Sequence, residues 1–335
     1  MPRLLFAFLF IFVPLAGIGQ RTIVDLNAGW RFAYGHATDV RSDFGCGTEY
    51  FNYLTKAASI HNAGPYSQKF DDSGWERVDL PHDYAAQQPY APEASHSHGY
   101  RTVGWQYPAT SVGWYRRTFE IPDSLRGRNV ALCFGGIFRD SRVWVNGFYC
   151  GGEESGYLPQ EYDITDYLNP EGTNVVTVRA DASMEEGWYY EGAGIYRRAW
   201  LDVRPALHFV SDGHDMVADF HADGSFRALR LAAEVRNAAH DAAVVGVEWR
   251  ILDAEGHTVA TARSASACMA PQKVAEFTAE TSWKAEHRWC PNDPYLYTVE
   301  CRTVVSSGTM AGDVVRHRYG IRQVVFDADR GLLLN

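Results

Sequence analysis

Apolar and polar side chains alternate in short runs along residues 20–335 with turn residues between them, and no stretch sustains a 3.6-residue period, so the chain reads as strands and turns. In residues 114–121, Tyr115, Arg117, Phe119 and Ile121 share one face, while Trp114, Arg116, Thr118 and Glu120 share the other. In residues 129–134 the inward set is Val130, Leu132 and Phe134. Both runs are expected to be half-buried strands. Residues 142–149 contain Asn146-Gly147, a pair that tolerates the positive φ of a tight two-residue turn, and they predict a hairpin. Strands over 174–180 and 198–203 complete a first sandwich spanning residues 20–204. Beyond Pro205, Ala-rich alternating runs such as 228–235 and 244–252 recur about every eight to twelve residues, the spacing of an immunoglobulin-like β-sandwich, assigned to 205–325. Residues 35–68, rich in Gly, Ser, Asn and aromatics, read as a long surface insertion.

Composition strengthens this picture. A chain of 335 residues exceeds one ordinary core of about 100–200 residues and predicts two. An aromatic share of 14% with Gly 30 and Pro 14 suits many short strands joined by turns. The net charge of -10 argues against nucleic acid, whose phosphates demand a basic face. At the N-terminus, Met1-Pro2-Arg3, an apolar run from Leu4 to Leu15 and small residues to Gly19 match a secretory signal over 1–19, cut after Gly19. The protein is therefore expected to be exported, periplasmic or extracellular, without a membrane span, because that run falls short of the roughly 20 residues a bilayer requires. The six cysteines are too few for a disulfide scaffold and no pair has metal-site spacing, so no metal and no cofactor are assigned. Most read as buried thiols; Cys133 with Cys150, or Cys290 with Cys301, could bridge adjacent strands.

Three stretches carry the functional assignment: Val143-Trp-Val-Asn-Gly147, Gly187-Trp-Tyr-Tyr-Glu-Gly-Ala-Gly-Ile-Tyr-Arg197 and Trp289-Cys-Pro-Asn-Asp-Pro-Tyr-Leu-Tyr297. With Leu80-Pro-His-Asp83 before them and Tyr319-Gly-Ile-Arg322 after, their order and spacing resemble glycoside hydrolase family 2, the family of β-galactosidases, β-glucuronidases and β-mannosidases. The resemblance implies an all-β chain: a jelly-roll (galactose-binding-like) β-sandwich, then an immunoglobulin-like β-sandwich, with the catalytic (β/α)8 barrel absent and residues 326–335 its opening. It implies no catalytic residue here, since the acid/base and nucleophile glutamates of the family belong to the barrel. Retaining sugar hydrolysis needs two carboxyls about 5–5.5 Å apart on a rigid scaffold. The neighbours Glu153-Glu154 and Glu185-Glu186 do not supply them, because adjacent side chains on a strand point to opposite faces.

The resemblance also marks the loop Cys150-Gly-Gly-Glu-Glu-Ser-Gly-Tyr157, whose counterpart in β-galactosidases offers an acidic side chain to sugar hydroxyls. That role falls to Glu153 or Glu154, the alternative being an exposed acidic loop. A family Asn expected near Gly104 is missing, which puts a strict galactoside pocket in doubt. Trp188, Tyr189 and Tyr190 precede glycines that allow close backbone approach, so the rings serve either as a sugar-stacking platform or as packing. Glu191 completes the substrate-binding set Glu153, Glu154, Trp188, Tyr189 and Glu191, and Arg197 is expected to fix the loop by pairing with Glu191 or Asp181. His82-Asp83 reads as a turn hydrogen bond, His96-Ser-His98 as an exposed loop, and Gly192-Ala-Gly194 lacks the third glycine of a dinucleotide loop. The leading reading is the non-catalytic N-terminal portion of an exported glycosidase of β-galactosidase type, acting on terminal β-glycosides in carbohydrate metabolism and shaping the substrate pocket. The rival readings are a stand-alone carbohydrate-binding or surface interaction module and an inactive truncated product.

Overall fold

A computed structural model describes residues 21–46, 64–185, 187, 190–306 and 310–335. Among them the chain forms twenty strands and only single-turn 3-10 helices. It divides into two compact units, Thr22–Arg204 and Pro205–Asn335, with Arg21 grouped with the second.

The first unit is a jelly-roll sandwich of two antiparallel sheets. One carries β3 (Glu76–Val78), β2 (Trp30–Tyr34), β4 (Val112–Phe119), β9 (Asn174–Asp181), β6 (Ser141–Val145) and β7 (Phe148–Glu153), in that order. The other carries β1 (Thr22–Asp25), β10 (Ala199–Arg204), β5 (Asn129–Phe134) and β8 (Gln160–Asp163). Alternation places Trp30, Phe32, Tyr115, Leu132, Phe134, Val143, Val176 and Leu201 between the sheets. Each such side chain, removed from water, contributes about 1.5–3 kcal/mol. The Asn-Gly hairpin forms as expected: Asn146 has φ 54 and Gly147 φ 89, and β6 pairs with β7 across them.

The outer face of β4 departs from the half-buried expectation. Residues 112–116 are buried on both faces. Trp114 stacks on Trp144 in a second cluster that gathers Cys46, Phe44, Tyr66 and Trp75. Asp43, fully buried, accepts from Trp114 Nε1 at 2.7 Å and from Arg179 Nε at 3.1 Å. Arg116 pairs with Asp72 at 2.9 Å and donates to the carbonyls of Pro65 and Ser67. The described flanks of the expected surface insertion, 35–46 and 64–68, are thus packed against the sheet; residues 47–63 lie outside the described residues. Periodicity reads one partner per strand, and β4 has a second one supplied from far away in sequence.

The second unit is an immunoglobulin-like sandwich. Its sheets are β11 (Leu207–Phe220), β12 (Phe226–Asn237), β16 (Val274–Thr281), and β14 (Thr258–Arg263), β13 (Ala243–Leu252), β17 (Tyr297–Val305), β18 (Val314–Tyr319), with β15 (Ala267–Met269) beside β13. Phe209, Leu229, Leu231, Val247, Trp249, Ile251 and Val299 fill its core. A bulge in β11 changes the phase of the strand. Phe209 lies opposite Val235 but His214 lies opposite Ala233, five steps on one strand against two on the other. His214, Met216 and Ala218 therefore face the same side as the buried Ala233, Leu231 and Leu229. The last strands, β19 (Val324–Asp327) and β20 (Gly331–Leu334), form a hairpin with Phe326 85% and Leu332 65% exposed.

All six cysteines are free thiols, so neither strand-bridging disulfide forms. Cys46, Cys133 and Cys301 are buried, and burial pushes the Cys46 and Cys301 thiols up to about 12. No helix among the described residues is long and apolar enough to cross a membrane.

Candidate sugar-binding face

Three segments of the first unit meet edge to edge around Gly194. The amide of His82 donates to the carbonyl of Ile195 at 2.8 Å and that of Tyr84 to Ala193 at 3.0 Å, while Phe138 and Gly194 exchange amide-to-carbonyl bonds of 2.9 and 2.6 Å. Gly194 has φ +102, and a Cβ there would collide with the Tyr115 hydroxyl and stand 3.0 Å from the His82 carbonyl. Only glycine lets the segments approach this closely.

Asp83 ties the loops to this crossing. One carboxylate oxygen accepts the amides of Ala85 at 3.0 Å and Ala193 at 2.9 Å; the other accepts the Tyr190 hydroxyl at 2.7 Å. Burial first, then the bond to Asp83, raises the Tyr190 phenol, which stays protonated as a donor. His82 is buried between the Tyr115 hydroxyl at 2.8 Å and Gln87 at 3.0 Å, and burial lowers its pKa. The Asp83 half of the expected turn bond is present, and the imidazole is turned into the core.

Glu153 closes β7, half-buried, its carboxylate accepting the Ser155 amide at 2.9 Å. Glu154 is exposed, and its carbonyl accepts the Asp140 amide at 3.3 Å. Because residue 140 follows Phe138 and Phe138 bonds to Gly194, the acidic loop and the 190–195 loop are joined through one short segment. Asp140 itself has φ 42, and its carboxyl is raised by burial, with Asp181 and Glu154 adding and Arg139 opposing. Glu191 is brought to the same place but points inward: it is 8% exposed, its amide donates to the Ser97 carbonyl at 2.8 Å, and its carboxylate packs against Gly187. Trp188 and Tyr189, with Glu186, lie outside the described residues.

Two expectations are corrected. Arg197 is exposed, donates to the Gly135 carbonyl at 3.1 Å and lies over the Tyr196 ring; Asp181 pairs instead with Arg179, two residues away on β9, at 3.2 Å. His98 is fully buried rather than in an exposed loop: Ser95 caps the short turn 96–98, and the ring lies edge-on to Phe138 with its pKa lowered by burial against the opposing pull of Glu185. The space a side chain at 104 would occupy is taken by the Glu185 carboxylate, consistent with the missing Asn.

Sequence reasoning missed a concavity of about 430 Å³ in the second unit, lined by Asp253, Glu255, Trp283, His287, Tyr295 and Tyr297 among others. The available signal was Tyr295 and Tyr297, two apart where the chain enters β17, their rings in edge contact. Aromatic rings beside carboxylates form a lining that suits a sugar, offering apolar ring faces and hydroxyl acceptors together.

Residues 23–205 match the family description of the glycosyl hydrolases family 2 sugar binding domain, and residues 212–322 match a second family 2 domain. The chain belongs to glycoside hydrolase family 2. Among curated proteins, this family 2 chain is 33% identical over 319 residues to a β-galactosidase of Bacteroides ovatus, covering 95% of the chain and 34% of that protein. Among solved structures it resembles a family 2 member from Bacteroides cellulosilyticus at 25% identity, TM-score 0.72, covering 93% of the chain and 37% of the other. It also shares the fold of a Bacteroides uniformis β-glucuronidase at 22% identity, TM-score 0.74, covering 94% and 34%. The chain thus spans about a third of the length of these relatives.

Proposed function

We propose that this chain forms the non-catalytic N-terminal part of an exported family 2 glycosidase of β-galactosidase type, and that cleavage of a terminal β-glycoside resides in sequence following the two sandwiches. The observation carrying this reading is the match of both family 2 domains, in order, together with the likeness to a longer β-galactosidase of which the chain covers 34%. The exposed apolar hairpin at Phe326 and Leu332 supports a further packing partner there. The signal-like residues 1–19 support export. In this reading Glu153 or Glu154 reaches sugar hydroxyls, Trp188 and Tyr189 stack on the ring, and Glu191 holds the loop that carries them.

A chimera in which this chain replaces the matching segment of the B. ovatus β-galactosidase tests the proposal. It is expected to turn over a chromogenic β-galactoside, with Glu154→Gln raising KM about tenfold through one lost charged hydrogen bond, while the isolated chain releases no sugar. Steady turnover by the isolated chain, abolished by a substitution within it, overturns the assignment. The cavity at Trp283 favours a second reading, a carbohydrate-binding module. Calorimetric galactoside binding by the isolated chain, lost in Trp283→Ala and kept in Glu154→Gln, selects it.

A further inference from the structure

On the inner side of the second sandwich, three metal-ligating side chains converge that the sugar reading does not use. Cys301 lies opposite Val315, and Val299 opposite His317, so Cys301 and His317 are diagonal neighbours on one face of the β17–β18 pair. His214 arrives from β11, turned to the inner side by the bulge that changes the strand's phase. A ligating atom from each of the three lies within 4.8 Å of the others, and the two imidazole centroids are 4.3 Å apart. His214 Nδ1 and His317 Nε2 are shut off from solvent with no hydrogen-bond partner. Leaving a buried polar atom unsatisfied costs about 1–3 kcal/mol, so two such atoms beside a thiol call for an occupant that accepts lone pairs.

We propose that His214, Cys301 and His317 bind one borderline-soft transition-metal ion, of which Zn²⁺ is the type, through two imidazole nitrogens and a thiolate, with a water completing the tetrahedron. Zn–N bonds of about 2.0–2.1 Å and a Zn–S bond of about 2.3 Å place tetrahedral donors roughly 3.3–3.6 Å apart. Side-chain torsions supply the contraction of about 1 Å that this requires. The thiol proton leaves to solvent as the sulfur–metal bond forms, so each ion bound releases one proton. Arg21, whose charge acts on both imidazoles, is paired with Asp313 at 2.7 Å and donates to the Phe209 carbonyl. No spacing motif announces the site, because its ligands come from three strands far apart in sequence.

The full chain, stripped with chelator, is titrated with Zn²⁺ in equilibrium dialysis and with Co²⁺ by absorption. One equivalent should bind, and Co²⁺ should give a thiolate charge-transfer band that survives Cys268→Ser and Cys290→Ser, disappears in Cys301→Ser, and needs at least tenfold more metal in His317→Gln. A wild-type spectrum without that band overturns the proposal, as does a band unchanged in folded Cys301→Ser. Circular dichroism checks folding; if Cys301→Ser does not fold, His214→Gln and His317→Gln decide, and full affinity in both refutes the site.

Discussion

Gly194 carries two constraints at once: a left-handed φ of +102 and contact with the Tyr115 hydroxyl and His82 carbonyl. Adding a methyl group should cost about 1–2 kcal/mol for the backbone and about 1–3 for overpacking. Gly194→Ala is therefore expected to destabilise the first sandwich by roughly 2–5 kcal/mol in urea unfolding, and a loss under 1 kcal/mol would mean that the three segments do not cross as described. The sequence shows this residue as a place of close backbone approach, because glycines after a run of aromatics have few other uses. It does not show which side chains point inward. Glu191 and His98 are polar types in a loop-like stretch, and their burial depends on Ser97 and Phe138, partners that local pattern cannot supply. Arg197 was misread for the same reason. Asp181 has a nearer cation in Arg179, a proximity created by strand geometry within β9.

Among the elements, the β6–β7 hairpin is the most legible, since Asn-Gly both permits the turn and leaves an amide to anchor it. The Asn146 side chain donates to the Tyr167 carbonyl at 2.7 Å and to Asn174 at 2.8 Å, and accepts the Val175 amide at 2.9 Å. Asn146→Ala removes three bonds, leaves buried groups unsatisfied and places a less tolerant residue at positive φ, so a loss of about 2–4 kcal/mol is expected. Asn146→Asp keeps the acceptor and should lose less. Equal losses in denaturant titrations would show that the two bonds donated by the amide nitrogen, lost in both variants, carry the stability rather than the turn or the acceptor. Less legible are elements whose faces are set by distant chain. The outer face of β4 reads as polar from Arg116 and Thr118, yet Asp72 and the 64–68 segment cover it. The phase of β11 beyond Phe209 is likewise hidden, because alternation predicts side-chain direction only while a strand stays in register.

For the whole molecule, acid sensitivity follows from where its imidazoles are buried. In the first sandwich, His82 and His98 both have pKa values lowered from 6.5, chiefly by burial. The groups facing His82 are Tyr115, Gln87, Glu76 and Asp83, and Glu185 faces His98; their pull toward the charged form is smaller than the desolvation. As pH falls through 6.5 the unfolded chain takes up a proton at each site before the folded chain does. The unfolded state then holds more protons, so stability is full above 6.5 and declines toward the lowered folded values, by at most about 1.4 kcal/mol per pH unit for each histidine. Glu300, for which burial is outweighed by Arg316, Arg250 and Arg302, is held below its ordinary 4.5 and loses its contribution only at lower pH. Urea unfolding of the first sandwich at pH 7, 6 and 5 should show a falling free energy, and His98→Leu should flatten that slope whatever it does to the absolute value. A slope identical in wild type and His98→Leu would mean that the imidazole gains its proton equally in both states, which a ring fully enclosed beside Phe138 cannot do.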